Sequence, residues 1–252
     1  MKRRSIWYIV SVLVMAVSLA LVGCGDSVDI KDVAPDGSDQ EPADTGAYPN
    51  SELLVSTVEL SDMLGEDNLA VIDGRAEGYA SGHIPGAIHM PHAVFADASL
   101  NISSVTELEG LLTGAGISRD MKIVIYDDTT ASWGAAGRIF WILEYLGCSD
   151  VCLLNGGWDK WAAESREIEL SPSVLPENDV PFTALTRPTK TMTRSRLACR
   201  LGDPDFAVID SRTDAEYNGW RLYNEARRGH IKGAVQIAYE SFFNADKTIL
   251  SE

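Results

Sequence analysis

Positive charge is scarce in this sequence. Lys and Arg number 21 against 37 Asp and Glu, and the formal charge is −16. A nucleic-acid binder needs the reverse balance, because Lys and Arg make the phosphate contacts, so no nucleic-acid partner is expected. Cysteine is scarce too: Cys24, Cys148, Cys152 and Cys199 are all there are. The one close pair, Cys148 and Cys152, has no second pair to complete a zinc site. Both read as small buried hydrophobes, with a disulfide between them left open. There are four histidines, and His83, His89 and His92 fall at spacings that suit neither one helix face nor one strand face. No metal and no cofactor is expected. Apolar content is ample at 45%, normal for a chain with a packed core. A chain of 252 residues holds one large domain or two ordinary ones.

Lys2, Arg3 and Arg4 precede a nearly all-apolar stretch from Ile6 to Val22, the pattern of an export signal. Length alone does not separate a signal from a membrane span here. The residues that follow do: Leu21-Val22-Gly23-Cys24 resembles the lipobox of bacterial lipoproteins. That resemblance implies a signal peptide over 1–24, cleavage before Cys24, a lipid on Cys24, and a mature protein anchored to a membrane in the cell envelope. Residues 25–50 carry Asp26, Asp29, Asp32, Asp36, Asp39, Glu41 and Asp44 among Pro, Gly and Ser. Such a segment buries too little to offset its ordering entropy and reads as an acidic, flexible tether.

Beyond the tether one pattern occurs twice. The first copy has Leu64-Gly65, Ala70-Val71-Ile72-Asp73-Gly74-Arg75, Tyr79, and Gly82-His83-Ile84-Pro85-Gly86-Ala87-Ile88. The second has Leu201-Gly202, Ala207-Val208-Ile209-Asp210-Ser211-Arg212, Tyr217, and Gly229-His230-Ile231-Lys232-Gly233-Ala234-Val235. The second copy carries extra residues between Tyr217 and Gly229. So many matches in order point to duplication.

The first copy alternates strand and helix signals. Ser56/Glu59 and Ser104/Glu107 have capping-box spacing. Leu69 to Asp73, Ile123 to Tyr126 and Val151 to Leu154 are short apolar runs of the kind buried in parallel sheets. Ala136, Ile139, Phe140, Leu143 and Leu146 mark a helix that Gly147 stops. Gly156-Gly157 leads into a short helix with Trp158 and Trp161. The order predicts an α/β fold, a mainly parallel sheet with helices on both faces. It gives a first domain over 51–165, a proline-rich extended linker over 166–192, and an incomplete second copy over 193–252 whose first helix Thr193 caps. Asp73 and Arg75 are placed to form a bidentate pair at a strand tip. With His83, and with Asp210 in the second copy, they read as residues that shape loops.

Three runs carry a resemblance to the rhodanese family of sulfurtransferases: Val71-Ile72-Asp73-x-Arg75, Tyr79 with Gly82 to Ala87, and Leu154-Asn155-Gly156-Gly157-Trp158 with Trp161. The resemblance implies a cysteine in a tight loop after the central strand. Its thiolate, held by backbone N–H groups and a helix N-terminus, takes a sulfane sulfur from a small anionic donor such as thiosulfate and passes it to cyanide or a thiol. In the first copy that place belongs to Asp127, and the loop from Asp128 to Trp133 has no cysteine. This resembles the non-catalytic first domains of tandem rhodaneses. The second copy reaches Glu252 before its own central strand, and Lys247 to Glu252 resembles the start of its next helix. The expectation is therefore a sulfurtransferase whose catalytic half is truncated here, the alternative being a non-catalytic binding or scaffold lipoprotein. Arg212, Arg227, Arg228 and His230 are the candidates for meeting an anionic donor. Glu216 stands where some mercaptopyruvate-using relatives carry Arg, which favours thiosulfate.

Overall fold

Two of the apolar runs become the middle of the sheet. Leu69–Asp73 (β2) and Lys122–Tyr126 (β4) pair in parallel along their length, Leu69 opposite Lys122 and Asp73 opposite Tyr126. Val151–Leu154 (β5) adds to the other side of β4. Leu54–Val55 (β1) and Ile88–His89 (β3) form the edges, giving the order β1-β5-β4-β2-β3 with every pairing parallel. This is a computed structural model, and it describes residues 50–129, 131–175, 180–222 and 227–250. The signal reading of 1–24, the lipid on Cys24 and the tether up to residue 49 lie outside the described residues.

Side-chain alternation along the strands divides the core in two. Ala70, Ile72, Ile123 and Ile125 face Val105–Gly114 (α2) and Ala135–Leu146 (α3), where Leu108, Leu112, Ile139 and Leu143 are fully buried. Leu69, Val71, Val124 and Tyr126 face the opposite way, onto Leu60 of Thr57–Met63 (α1) and Trp161 of Gly157–Ala163 (α4). The predicted fold class, a parallel sheet with helices on both faces, is the one observed. Both capping boxes form: Ser56 accepts from the Glu59 N–H and Ser104 from the Glu107 N–H, with each glutamate reaching back. The edge strands β1 and β3 were not legible, since two residues carry no period.

The described residues of the stretch from 166 to 192 are mostly extended, but they are no free spacer. Glu169 bridges to His83 by two backbone hydrogen bonds. Phe182 is buried against the α2/α3 side of the core. The N–H groups of Leu185 and Arg187 donate to the carbonyls of Leu146 and Tyr145 at 2.9 and 2.7 Å. Gly147 ends α3 with φ +99°, and a Cβ there would lie 2.4 Å from the Leu185 carbonyl oxygen. The strap therefore needs a glycine beneath it as well as a left-handed residue.

In the second copy Thr193 caps Arg194–Arg200 (α5). Ile209–Asp210 (β6) pairs in parallel with Val235–Gln236 (β7), and Asp214–Tyr217 (α6) lies between them. Ile209 opposite Val235 repeats the register of Ile72 opposite Ile88. The helix start expected over Lys247 to Glu252 is absent from its described part. Asp246 accepts from the Thr248 hydroxyl and N–H, which closes a turn, and Phe243 bridges antiparallel to Ile249. The first copy does the same between Ala96 and Ile102, ahead of α2.

Candidate functional site: the loop after the central strand

Strands β2 and β4 deliver Asp73 and Tyr126 side by side at the carboxyl end of the sheet. Asp73 is fully buried, and its Oδ1 accepts from the Arg75 backbone N–H at 2.9 Å and from Nε at 3.0 Å. Its Oδ2 accepts from Arg75 Nη2 at 2.6 Å and from the Tyr126 hydroxyl at 2.8 Å. Arg75 Nη2 also donates to the Gly82 carbonyl at 2.7 Å, and the guanidinium lies 4.2 Å over the Trp158 ring. Burial opposes the guanidinium charge, but the Asp73 carboxylate outweighs it and the proton is held more tightly than usual. Burial first, then the Asp73 charge, pushes the Tyr126 phenol well above its ordinary range. Tyr126 therefore stays a neutral donor, while its oxygen accepts from the Ile84 N–H at 3.1 Å.

His83 is fully buried beneath this layer. Its Nδ1 lies 2.9 Å from the Tyr79 carbonyl, which only accepts, so Nδ1 carries the hydrogen. Its ring stacks on Tyr79 at 3.8 Å. The Tyr79 hydroxyl donates to the Ala87 carbonyl and accepts from the Ser173 N–H.

Beyond Tyr126 the chain turns through Asp127 into the loop that leads to α3. Asp127 is buried, and its two oxygens accept from the N–H groups of Thr129 at 2.8 Å and Ala136 at 2.9 Å. The carboxylate thus occupies a cradle of backbone donors at the start of a 12-residue helix. Burial raises its pKa from 3.8 to about 7, against the two backbone hydrogen bonds, with Asp128 and Asp159 adding to the rise. Asp159 is raised as well, by burial and then by Asp128. The Asp127 carbonyl accepts from the Trp158 N–H at 2.8 Å. Gly157, at φ +54°, passes so close that a Cβ would stand 2.5 Å from that same carbonyl. This close approach gives the Gly156-Gly157 pair its physical reason.

No thiol reaches the loop among the described residues. Cys148 and Cys152 are buried and unpaired, and burial pushes their thiols to about 12 and about 11. Cys199 is exposed on α5. A thiol that stays protonated and buried is neither a nucleophile nor a sulfur carrier.

The second copy repeats the first down to single hydrogen bonds. Arg212 Nη2 meets Asp210 at 2.6 Å and the Gly229 carbonyl at 3.0 Å. His230 Nδ1 lies 2.9 Å from the Tyr217 carbonyl, the rings stack at 3.7 Å, and the Tyr217 hydroxyl donates to the Ala234 carbonyl. Arg212 and His230, singled out for an anionic donor, are thus placed as Arg75 and His83 are. Arg227 and Arg228 are exposed on the loop before Gly229. The sequence reading missed Tyr126 and Trp158 as partners of Arg75. It also missed Glu169 and Ser173, which lie against His83 at 3.8 and 3.4 Å. The only signal for Trp158 was its place beside the Gly156-Gly157 pair.

A family model described as a rhodanese-like domain matches residues 56–164. The thiosulfate sulfurtransferase of Pseudomonas aeruginosa is 30% identical over 203 residues, which cover 76% of this chain and 71% of that protein. That of Azotobacter vinelandii is 30% identical over 212 residues, 80% of this chain and 74% of that one. The crystal structure of the 3-mercaptopyruvate sulfurtransferase SseA from Escherichia coli shares the fold with a TM-score of 0.70, at 22% identity and 79% coverage of each chain. With the duplicated loops, the glycine pair and these relatives in agreement, the chain belongs to the rhodanese-like sulfurtransferase family.

Proposed function

We propose that this chain is the non-catalytic part of a thiosulfate-type sulfurtransferase, whose persulfide-forming cysteine lies outside these 252 residues. One observation carries the reading. The cradle of backbone N–H groups that would stabilise a thiolate is filled by the Asp127 carboxylate, held by Thr129 and Ala136. A thiolate displaces sulfite from thiosulfate by attacking its outer sulfur, and the persulfide then yields that sulfur to cyanide. An aspartate side chain accepting two backbone hydrogen bonds does not hold a sulfane sulfur in either protonation state. Thiosulfate as donor rests on the Pseudomonas and Azotobacter relatives and on Glu216. Glu216 is buried and closes the capping box with Thr213, so a basic residue there would lose that cap.

The purified 252-residue polypeptide, given thiosulfate and cyanide, is expected to form thiocyanate no faster than the solution without protein. Turnover above that background overturns the proposal. A longer product of the same reading frame, with cysteine after the second central strand, should turn over. A longer product that lacks such a cysteine, or does not turn over, would select the scaffold alternative.

We further propose an exported lipoprotein, tethered to a membrane of the cell envelope through Cys24. Support comes from Lys2-Arg3-Arg4, the apolar run to Val22, and the Leu21-Val22-Gly23-Cys24 sequence. Cells fed labelled palmitate should yield a labelled, membrane-bound protein, and Cys24→Ala should abolish the label. Label retained in Cys24→Ala would sink this assignment.

A further inference from the structure

The turn that closes the described part of the second copy does not stand clear of the first. Its backbone is preformed: the Asn244 N–H donates to the Thr248 carbonyl at 2.8 Å, and the Leu250 N–H to the Phe242 carbonyl at 2.8 Å. Asp246 accepts from Thr248 within it, and Lys247 sits at φ +70°. The equivalent turn of the first copy has Leu100 at φ +64°, and its carbonyl accepts from Arg138 of that copy's own helix α3. In the second copy the same turn reaches across instead. The Ile249 N–H donates to Asn155 Oδ1 at 2.8 Å, and Lys160 Nζ lies 3.4 Å from Asp246 and 3.1 Å from Glu164.

We propose that Asn155 and Lys160 form a docking surface on the first copy for the Asn244–Ile249 turn of the second, so that the two copies are latched beside the Asp127 loop. Asn155 immediately precedes the glycine pair that packs on the Asp127 carbonyl, and Lys160 lies on α4 one turn further on. The docked turn brings Lys247 near Asp159, where its charge favours the ionised carboxylate. Lys247 thereby adds to the positive charge of Arg75 at a corner that gathers Asp127, Asp128 and Asp159.

The latch has two parts of different character. An open cleft of about 310 Å³ lies beside this contact between α4 and the turn, lined among others by Asp159, Lys160, Glu164, Asp246 and Lys247. Ion pairs at such a wet, half-exposed place are weak and are screened by salt. The Ile249–Asn155 hydrogen bond involves no formal charge and survives salt. Docking is therefore weakened, but not released, at high ionic strength.

Hydrogen exchange on the full chain tests this, with the peptide over 243–250 as the reporter and the peptide over 122–126, central in the sheet, as the control. Asn155→Ala is expected to speed exchange of the turn roughly tenfold, the worth of one hydrogen bond, and to leave the control unchanged. Unchanged exchange of the turn in that variant overturns the proposal. Should Asn155→Ala also speed the control, Lys160→Met decides, since it keeps the aliphatic stem that covers Gly156. The turn should then exchange about two- to threefold faster at low salt, with the difference lost in molar salt. Identical exchange of Lys160→Met and the parent at low salt overturns the latch.

Discussion

Arg75→Met is expected to destabilise the first copy by about 3–5 kcal/mol, the usual consequence of leaving a buried charge without its partner. Methionine keeps the length of the side chain and a favourable contact with Trp158, so the loss isolates the guanidinium. What remains is Asp73, fully buried, with only the Arg75 N–H and the Tyr126 hydroxyl to hold its charge. The Gly82 carbonyl also loses its donor, which frees the start of the Gly82–Ala87 loop. Domains of this size are stable by about 5–15 kcal/mol, so the variant loses a large part of its margin. Arg212→Met is the internal control. It removes the corresponding contacts to Asp210 and the Gly229 carbonyl in the second copy, but there the Arg and Asp side chains are 17% and 8% exposed against 4% and 0% in the first. Water reaches the abandoned carboxylate, and a loss of about 1 kcal/mol is expected. Urea titration followed by tryptophan fluorescence measures both. A loss below about 1 kcal/mol for Arg75→Met would show that the buried pair does not support the fold.

The elements legible in the sequence were those whose signal is local. Apolar runs of four or five residues gave β2, β4 and β5, and capping boxes gave the starts of α1 and α2. A 3.6-residue period with a terminal glycine gave α3. The Asp73–Arg75 pair was legible because two residues of spacing at a strand tip leave the side chains little choice. What escaped depends on distant parts of the chain. Tyr126 reaches Asp73 only because β4 lies beside β2, a fact of sheet order that no spacing along the chain encodes. Glu169 and Ser173 reach His83 because the strap folds back over the first copy. Its prolines announced extended chain, yet they say nothing of where that chain lies. Arg212 and His230 show the converse. Their charge made them candidates for meeting an anionic donor, and the repeat, aligning them with Arg75 and His83, also encodes the loop contacts they make.

Asp127 should give the first copy a pH dependence opposite in sign to ordinary acid denaturation. Its pKa rises from 3.8 to about 7 in the folded state because burial outweighs the two backbone hydrogen bonds. The folded protein then holds a proton that the unfolded chain has released over the interval between those values. Stability from this group is therefore complete below about pH 4 and is lost as pH rises through about 7. Carried through the linkage relation, that separation corresponds to at most roughly 4 kcal/mol. Asp210, held low by Arg212 despite its burial, acts the other way and destabilises as pH falls through its own range. The two effects are separated by Asp127→Asn, which does not titrate. The asparagine oxygen still accepts one of the two N–H groups, but its amide nitrogen meets the other, so the variant starts about 1 kcal/mol weaker at low pH. Between about pH 4 and pH 8 the parent should lose stability relative to the variant by about 2–4 kcal/mol, so that its curve, about 1 kcal/mol higher at low pH, falls below that of the variant at about pH 4.5–5 and stays below it at neutrality. Parallel curves across that interval would mean that Asp127 titrates as an ordinary carboxylate, ionised throughout and fully compensated by Thr129 and Ala136. A cradle able to compensate a full negative charge in that way would suit a thiolate equally well, so the measurement also grades how far the loop has moved from sulfur chemistry.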